Sequence, residues 1–275
     1  IGDMRNRGVE GDFAWRDKVG KISYGVSANV SYNRSTLEKW NEFIARGATS
    51  NGANIALGMP YNFLYAYVDK GIAQTWQDIY NSTPQGAQPG DILRADLNGD
   101  GRIDGNDLRA YPNTQRDRPT TYFALNPYVA WNGFDLSFLV QGSAGRKDFW
   151  LNAFNNVNFS ASRYASTWDH WNNPWSTENR DGAWPRLGGS GNNTANTGFW
   201  VDDMSYLRFK NIQVGYNIPA SILRKVGINS LRIAGTAENI ATLSSYRGLD
   251  PEKAGNNNNL YPINKSYSLA INLGF

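Results

Sequence analysis

The chain has 275 residues and a formal net charge of +3, and its 27 Lys and Arg residues form no basic block, which argues against a nucleic-acid-binding protein. It contains no cysteine, which excludes disulfides and thiolate chemistry and suits a bacterial envelope protein. Its apolar runs are too short for a membrane-spanning helix, while 28 glycines and 13% aromatic residues favour strands and turns, so we predict an all-β chain.

Strict alternation of apolar and polar residues over 22–32 predicts a strand near the start of the chain. Its apolar face carries Tyr24 and Tyr32, which are separated by roughly 26 Å along an extended strand. Tilted as in a barrel, this covers roughly 20 Å, close to the apolar band between the aromatic girdles of an outer-membrane barrel. Alternation alone also fits a soluble β-sandwich.

Further alternating runs bring the prediction to roughly eight to ten strands, near residues 6–17, 20–34, 62–74, 119–131, 133–145, 203–219, 229–242 and 261–275. Asn132-Gly133, between two of these runs, predicts a tight hairpin turn. Long polar segments occupy residues 35–61, 75–118 and 146–202. Short turns at one end and long loops at the other are typical of an outer-membrane barrel.

Residues 96–107, "DLNGDGRIDGND", have the spacing of a calcium-binding loop. Gly101 falls where such a loop turns sharply, and Asp replaces the usual Glu at the last position. The pattern predicts Ca²⁺ as a structural cofactor, with ligands from the side chains of Asp96, Asn98, Asp100, Asp104 and Asp107 and the backbone carbonyl of Arg102. A solvated Asn/Asp/Gly turn has a similar composition. Prolines on both sides argue against the paired helices of a calcium sensor.

Catalytic motifs are not found in the sequence. It has one histidine, His170, and no G-x-S-x-G elbow, P-loop or His pair for zinc. A pair of carboxylates for glycoside hydrolysis stays open, because their separation depends on the fold.

Several tryptophans fall within one long loop region. Exposed indole rings stack on sugars or on a docked partner, whereas buried rings would simply pack the loop. The candidates for contact with substrate or partner are Trp168, Trp171, Trp175 and Trp184.

Five blocks of sequence, in order, resemble the C-terminal half of a SusC-type TonB-dependent outer-membrane transporter: "PGDILRADLNGDGRIDGNDL" (89–108), "WPRL" (184–187), "SYLRFKNIQVGYNIP" (205–219), "TAENIATLSSYRGLDPE" (236–252) and "YPINKSYSLAINLGF" (261–275). The resemblance implies a segment of a transmembrane antiparallel barrel of 22 strands with long extracellular loops, in the outer membrane. It also implies import of glycans or peptides rather than catalysis.

The resemblance further implies a SusD-type surface lipoprotein as a lid and energy supplied by TonB. The acidic loop would be extracellular, and the last strand, ending at Phe275, resembles the signal read by the barrel-assembly machinery. The plug, the TonB box and the first half of the barrel have no counterpart in this sequence. We therefore expect residues 1–275 to pair with the remainder of the barrel, because free sheet edges are costly in lipid.

Two other hypotheses fit parts of the sequence. A small closed outer-membrane barrel could act as a surface binding module, although small residues such as Ser23, Gly25, Ser27 and Gly215 would leave its interior underfilled. A secreted glycan-active protein with a dockerin-like loop would account for the acidic loop alone, but a dockerin normally has two such loops.

Overall fold

The structure, a computed structural model, describes residues 2–40, 49–50, 53–111, 116, 118–149, 171–188, 191–224, 227–248, 250–253 and 263–275. The strands and helices in this part of the chain are, in order, β1 (Asp3–Val19), β2 (Ile22–Lys39), β3 (Thr49–Ser50), β4 (Ala53–Asn54), β5 (Leu64–Tyr67), β6 (Asp69–Ile72), α1 (Trp76–Tyr80), β7 (Ile92–Arg94), β8 (Leu108–Tyr111), β9 (Thr121–Trp131), β10 (Phe134–Ala144), β11 (Lys147–Phe149), α2 (Gly191–Thr194), β12 (Val201–Asp203), β13 (Tyr206–Asn217), α3 (Ala220–Leu223), β14 (Ser230–Ser244) and β15 (Ser266–Gly274).

Seven long strands form one antiparallel sheet in the order β1-β2-β9-β10-β13-β14-β15. The hairpin from β9 to β10 turns through Asn132 and Gly133, whose φ angles of 48° and 87° are those of a tight hairpin turn. This confirms the turn predicted from the Asn-Gly pair. In the described part of the chain, β1 and β15 are the two edges of the sheet and do not pair with each other. The sheet is therefore open, unlike the small closed barrel considered above.

The cross-strand register gives this sheet two chemically different faces. One face, here called the outer face, is apolar and largely exposed, with Phe13 at 59% and Leu269 at 72% of full exposure. A continuous exposed apolar face of this size is unusual for a water-soluble sheet and fits a lipid-facing barrel wall. Its large exposed side chains are Val9, Phe13, Trp15, Val19, Ile22, Val30, Tyr32, Leu125, Val129, Trp131, Phe134, Val214, Ile233, Leu243, Tyr267, Leu269, Ile271 and Leu273.

The opposite face, here called the inner face, is lined by small and polar residues such as Ser27, Asn126, Ser137, Gln213 and Ser268. Apolar-out and polar-in alternation is the arrangement of an outer-membrane barrel that encloses water. Within the described residues, no helix has the length and apolar character needed to cross a membrane.

The connections alternate between the two ends of the sheet. Short turns join β1 to β2 and β9 to β10, whereas the connections from β2 to β9, from β10 to β13 and from β14 to β15 are long and, in their described residues, lie at the other end of the sheet. These long connections, here called the loop region, contain β3–β8, β11, β12, α1 and α2. The predicted strand at 62–74 is wrong: two short strands, β5 and β6, belong to separate small sheets in the loop region. Its apolar residues Leu64 and Ala66 are fully buried in a loop-region core, so apolar content there indicated burial and not a long strand.

Candidate functional site in the loop region

The acidic loop connects β7 to β8, two short strands of the loop region. Asp96 organises its first half, because one carboxylate oxygen accepts from the N–H of Gly99 at 2.7 Å and the other from that of Gly101 at 2.8 Å. Both glycines have positive φ angles, 75° and 80°, which L residues rarely adopt. Further along, Asp100 Oδ1 accepts from the N–H of Arg102 at 2.9 Å. The loop is thus a series of turns closed by carboxylate oxygens.

Asp107 fastens the two ends of this loop together. Its side chain is fully buried, and its two oxygens accept from the N–H groups of Leu97 and Asp104, each at 2.8 Å. Asp104 in turn caps a short 3₁₀ turn, Gly105–Asp107, by accepting from the N–H of Asn106 at 2.7 Å. Asp107 therefore joins the start and the end of the loop through two backbone hydrogen bonds.

The donor set of the loop consists of carboxylate, amide and backbone carbonyl oxygens, the ligands that hard cations such as Ca²⁺ prefer. Its carboxylates point at backbone N–H groups, and no three acidic, His or Cys groups among the described residues gather as a metal site would require. Calcium binding here stays a prediction. The elements that flank the loop, β7 and β8, are strands and not the paired helices of a calcium sensor.

A buried aspartate ties the strand before the acidic loop to a distant loop. Asp91 is fully buried and accepts from Arg186 Nε at 2.7 Å and from Asn193 Nδ2 at 2.9 Å. Asn193 also accepts, through Oδ1, from the N–H of Ile92 at 2.8 Å. Because each buried polar group has a partner, the two loops are joined without an uncompensated charge.

The predicted contact tryptophans have different environments. Trp175 and Trp184 are buried, and the Trp184 ring stacks on that of Trp200 with centroids 6.1 Å apart. Trp175 and Trp184 therefore pack inside the loop region, which is the second of the two roles considered in the sequence analysis. Trp171 is 57% exposed, and Trp168 lies outside the described residues.

Arg247, three residues after the end of β14, contacts this aromatic core. Its guanidinium lies 5.3 Å from the centre of the Trp184 ring and donates to Asp202 at 2.8 Å and to the carbonyl of Phe199 at 2.9 Å. The neighbouring Tyr246 has its pKa raised to about 12, mainly by burial and then by the negative charges of Asp202 and Asp148. Tyr246 therefore stays a neutral phenol at physiological pH.

A second buried arginine links the sheet to the loop before β15. Arg208, on β13, is 2% exposed and donates to Asp250 at 2.8 Å and to Glu252 at 2.6 Å. It also donates through Nε to Thr242 of β14 at 2.9 Å. Sequence patterns did not indicate this cluster, because the partners are more than thirty residues apart.

A polar cavity of about 530 Å³ lies where the inner face meets the loop region. The strands contribute Asn6, Ser31 and Asn33, and two ring systems and a cation complete its wall, from Tyr61, Tyr122 and Arg118. Amide, hydroxyl and guanidinium groups beside aromatic rings can bind a glycan or a peptide, so the cavity is a candidate for substrate contact. The sequence analysis missed it, because its lining comes from four segments that are far apart in sequence.

Comparisons with known proteins place these features in context. No family model matches the chain. It is 26% identical to TonB-dependent receptor P3 of Formosa agariphila and 25% identical to TonB-dependent receptor SusC of Bacteroides thetaiotaomicron, over 100% of the chain in both cases. Those matches cover 29% and 27% of the two relatives, so the chain spans less than a third of their length.

Solved structures agree with these sequence relatives. The match to the structure of the RagAB peptide transporter covers 100% of the present chain and 30% of the transporter chain. Its TM-score is 0.77 and its sequence identity is 22%. The comparisons confirm the resemblance to a SusC-type TonB-dependent transporter and the β-barrel fold class. The named relatives are receptors and transporters and not enzymes, which agrees with the expectation that the chain carries no catalytic activity.

Proposed function

We propose that residues 1–275 form the C-terminal part of the barrel wall of a SusC-type importer in the outer membrane. The observation that carries this proposal is the seven-stranded sheet with an exposed apolar outer face and a polar inner face. In lipid, the unpaired backbone groups of β1 and β15 would cost several kcal/mol each. Further strands of the same importer therefore pair with both edges and complete a barrel of 22 strands around a plug.

The imported substrate is a glycan or a peptide, drawn through the barrel by TonB acting on the plug. The polar cavity supports this role, because its groups face the inner side of the wall near the loop region. A SusD-type surface lipoprotein covers the loops. The exposed rings of Trp76, Tyr80 and Trp171 support a protein partner on that side, since aromatic residues are enriched at interfaces.

Uptake by living cells tests this function. A strain that lacks the gene should lose import of fluorescent oligosaccharides or of fluorescent oligopeptides, and the full-length gene should restore it. A variant with Arg118→Ala and Tyr122→Ala should import less than wild type while reaching the outer membrane in the same amount. If the deletion strain takes up both classes of substrate at the wild-type rate, the importer proposal is wrong.

We also propose that the acidic loop binds Ca²⁺ as a structural ion. Asp96, Asn98, Asp100, Asp104 and Asp107 with the carbonyl of Arg102 would supply oxygen ligands, and their turn geometry supports this because positive-φ glycines already bend the loop. Bound Ca²⁺ would neutralise the clustered carboxylates and hold the loop rigid.

Proteolysis at Arg102, which is exposed, gives a direct readout for the ion. In the full-length protein, Ca²⁺ should slow trypsin cleavage at Arg102 relative to EDTA, and Mg²⁺ should protect less. The variant Asp96→Asn with Asp100→Asn should lose this response, whereas Asp181→Asn, an exposed change in another loop, should keep it. Identical cleavage with Ca²⁺ and with EDTA would show that the loop binds no ion.

A further inference from the structure

The polar cavity between the inner face and the loop region contains a single charged side chain. Among the described residues that line it, Arg118 is the only one that carries a charge at neutral pH, and none is an Asp or a Glu. The remaining lining residues with amide or aliphatic hydroxyl groups are Asn6, Ser31, Asn33, Ser35 and Thr120. A ligand in this cavity therefore meets one positive charge within an otherwise uncharged polar surface.

The guanidinium of Arg118 is exposed, and none of the ion pairs among the described residues includes it. The two arginines nearest to it in sequence differ in this respect. Arg116 Nε lies 2.7 Å from Oδ1 of the buried Asp148, and Arg146 Nη2 lies 3.9 Å from Oδ2 of the same carboxylate. Arg116 and Arg146 therefore serve the fold, whereas the charge of Arg118 is accessible to a ligand.

The acidic residues near this cavity do not supply a carboxylate to it. Asp3 and Glu38, on the β1–β2 hairpin, are each paired with a basic residue of the same hairpin. Glu10 lies opposite Ser31 on the inner face, but its side chain does not line the cavity. Asp117 precedes Arg118 in the sequence and lies outside the described residues. No described carboxylate therefore shares the cavity with Arg118.

The backbone that carries Arg118 is fastened to two strands of the sheet. Thr120, two residues further on, is buried; its carbonyl accepts from the N–H of Asn33 at 2.8 Å, and its N–H donates to the carbonyl of Ala144 at 3.1 Å. Pro119, between them, fixes its own φ angle and restricts the preceding residue to extended conformations. This restraint positions Arg118 before a ligand arrives, which lowers the entropic cost of binding.

Two tyrosine rings in the cavity wall favour a sugar as the ligand. Tyr61 and Tyr122 are 37% and 47% exposed, so both rings have surface available for contact. Aromatic rings combine a large apolar surface with a polar end, which suits the mixed surface of a sugar ring. The side chains of Asn and Ser both donate and accept hydrogen bonds, as do sugar hydroxyl groups. The uncharged part of the cavity therefore matches an oligosaccharide.

We propose that Arg118 makes the importer selective for oligosaccharides that carry carboxylate groups. The planar guanidinium donates two parallel hydrogen bonds to a carboxylate, while Asn6 and Asn33 bind sugar hydroxyls and the rings of Tyr61 and Tyr122 contact the sugar rings. A neutral oligosaccharide leaves the guanidinium without this partner and binds more weakly. This selectivity rests on the import function proposed above and names the class of substrate that the cavity takes.

Equilibrium binding to the full-length importer, purified in detergent, tests the selectivity. The probes are fluorescent oligogalacturonate and oligoalginate, each compared with the same oligosaccharide after chemical reduction of its carboxylates to alcohols. Wild type should bind at least one acidic probe about tenfold or more tightly than its reduced form, and Arg118→Gln should remove this preference by weakening only the acidic probe. Arg118→Lys keeps the charge without the fork and should retain part of the preference. Arg7→Gln, which removes an exposed charge from the outer face of β1, should bind like wild type.

The binding results also separate this proposal from the import function. Equal binding of acidic and reduced probes by wild type, or an equal loss of both in Arg118→Gln, would overturn the role of Arg118. Tighter binding of oligoglutamate than of either acidic oligosaccharide would overturn it as well, because the carboxylate would then belong to a peptide. If only the import function is wrong, the deletion strain keeps its uptake while the purified protein still prefers the acidic probe. If only the selectivity is wrong, deletion abolishes uptake, and Arg118→Gln, present in the outer membrane in the wild-type amount, imports acidic and reduced probes as wild type does.

Discussion

At the scale of single residues, the acidic loop depends on one buried carboxylate more than on its exposed ones. Asp107 is fully buried and accepts two backbone hydrogen bonds, one from each end of the loop. The exposed Asp100 accepts from the backbone N–H of Arg102 and from the side-chain amide of Asn98, both within its own turn. Removal of the buried Asp107 carboxylate would leave the N–H groups of Leu97 and Asp104 without this acceptor, whereas removal of Asp100 would cost contacts within a single exposed turn.

Replacing Asp107 tests this difference. Asp107→Ala should destabilise the loop locally by about 1–3 kcal/mol, because the N–H groups of Leu97 and Asp104 lose their acceptor. Hydrogen exchange by mass spectrometry should show faster exchange over residues 96–107, while the strands β13 and β14 exchange as in wild type. Asn106→Ala, a change at an exposed neighbour, is the control. Unchanged hydrogen exchange in the Asp107 variant would show that Asp107 does not hold the two ends of the loop together.

At the scale of elements, the sequence predicts the long strands well and the loop region poorly. Residues 22–32 alternate strictly, and β2 spans them. In contrast, 62–74 has strand-forming residues, but Leu64 is fully buried in a core that also contains Trp184 and Trp200. Such a core is built by segments far apart in sequence, so no local pattern contains it.

Gly215 of β13 leaves space for the side chain of an arginine on the neighbouring strand β14. Arg232 of β14 crosses over Gly215 to reach Asp135 of β10, with Arg232 Nη2 and Asp135 Oδ2 2.7 Å apart. A Cβ atom at Gly215 would lie 2.6 Å from Arg232 Cζ. Any side chain at Gly215 therefore pushes the guanidinium away from its carboxylate.

Gly215→Val should consequently disrupt the pair of Arg232 and Asp135. The pair is partly exposed, so the expected loss is modest, about 1 kcal/mol or less in the free energy of unfolding of the full-length barrel in detergent. In a background with Asp135→Asn the Gly215 substitution should cost less, which a double-mutant cycle measures. Gly235→Val is the control, because a Cβ at Gly235 meets no atom within 4 Å. Equal costs in both backgrounds would show that Gly215 and the ion pair are independent.

At the scale of the whole molecule, the exposed apolar face and the two edge strands of the sheet are those of a segment of a larger barrel. Its outer face exposes a continuous apolar surface, and its inner face and loop region hold most of the polar and ionic contacts. In water, such a sheet would bury its apolar face against another layer. In a membrane, lipid covers that face, and the two edge strands need partners from the rest of the barrel.

Substitutions at two adjacent residues of β15, Leu269 and Ser268, test which face of the sheet contacts lipid. In the full-length protein, Leu269→Lys places a charge on the outer face, where Lys costs about 2–4 kcal/mol near the middle of the bilayer. We expect less folded barrel in the outer membrane, seen as a loss of the band whose electrophoretic mobility changes on heating. Ser268→Lys puts the same charge on the inner face of the same strand and should leave that band at the wild-type level. If both variants assemble equally well, the outer face of β15 does not contact lipid, and the sheet must be covered by protein instead.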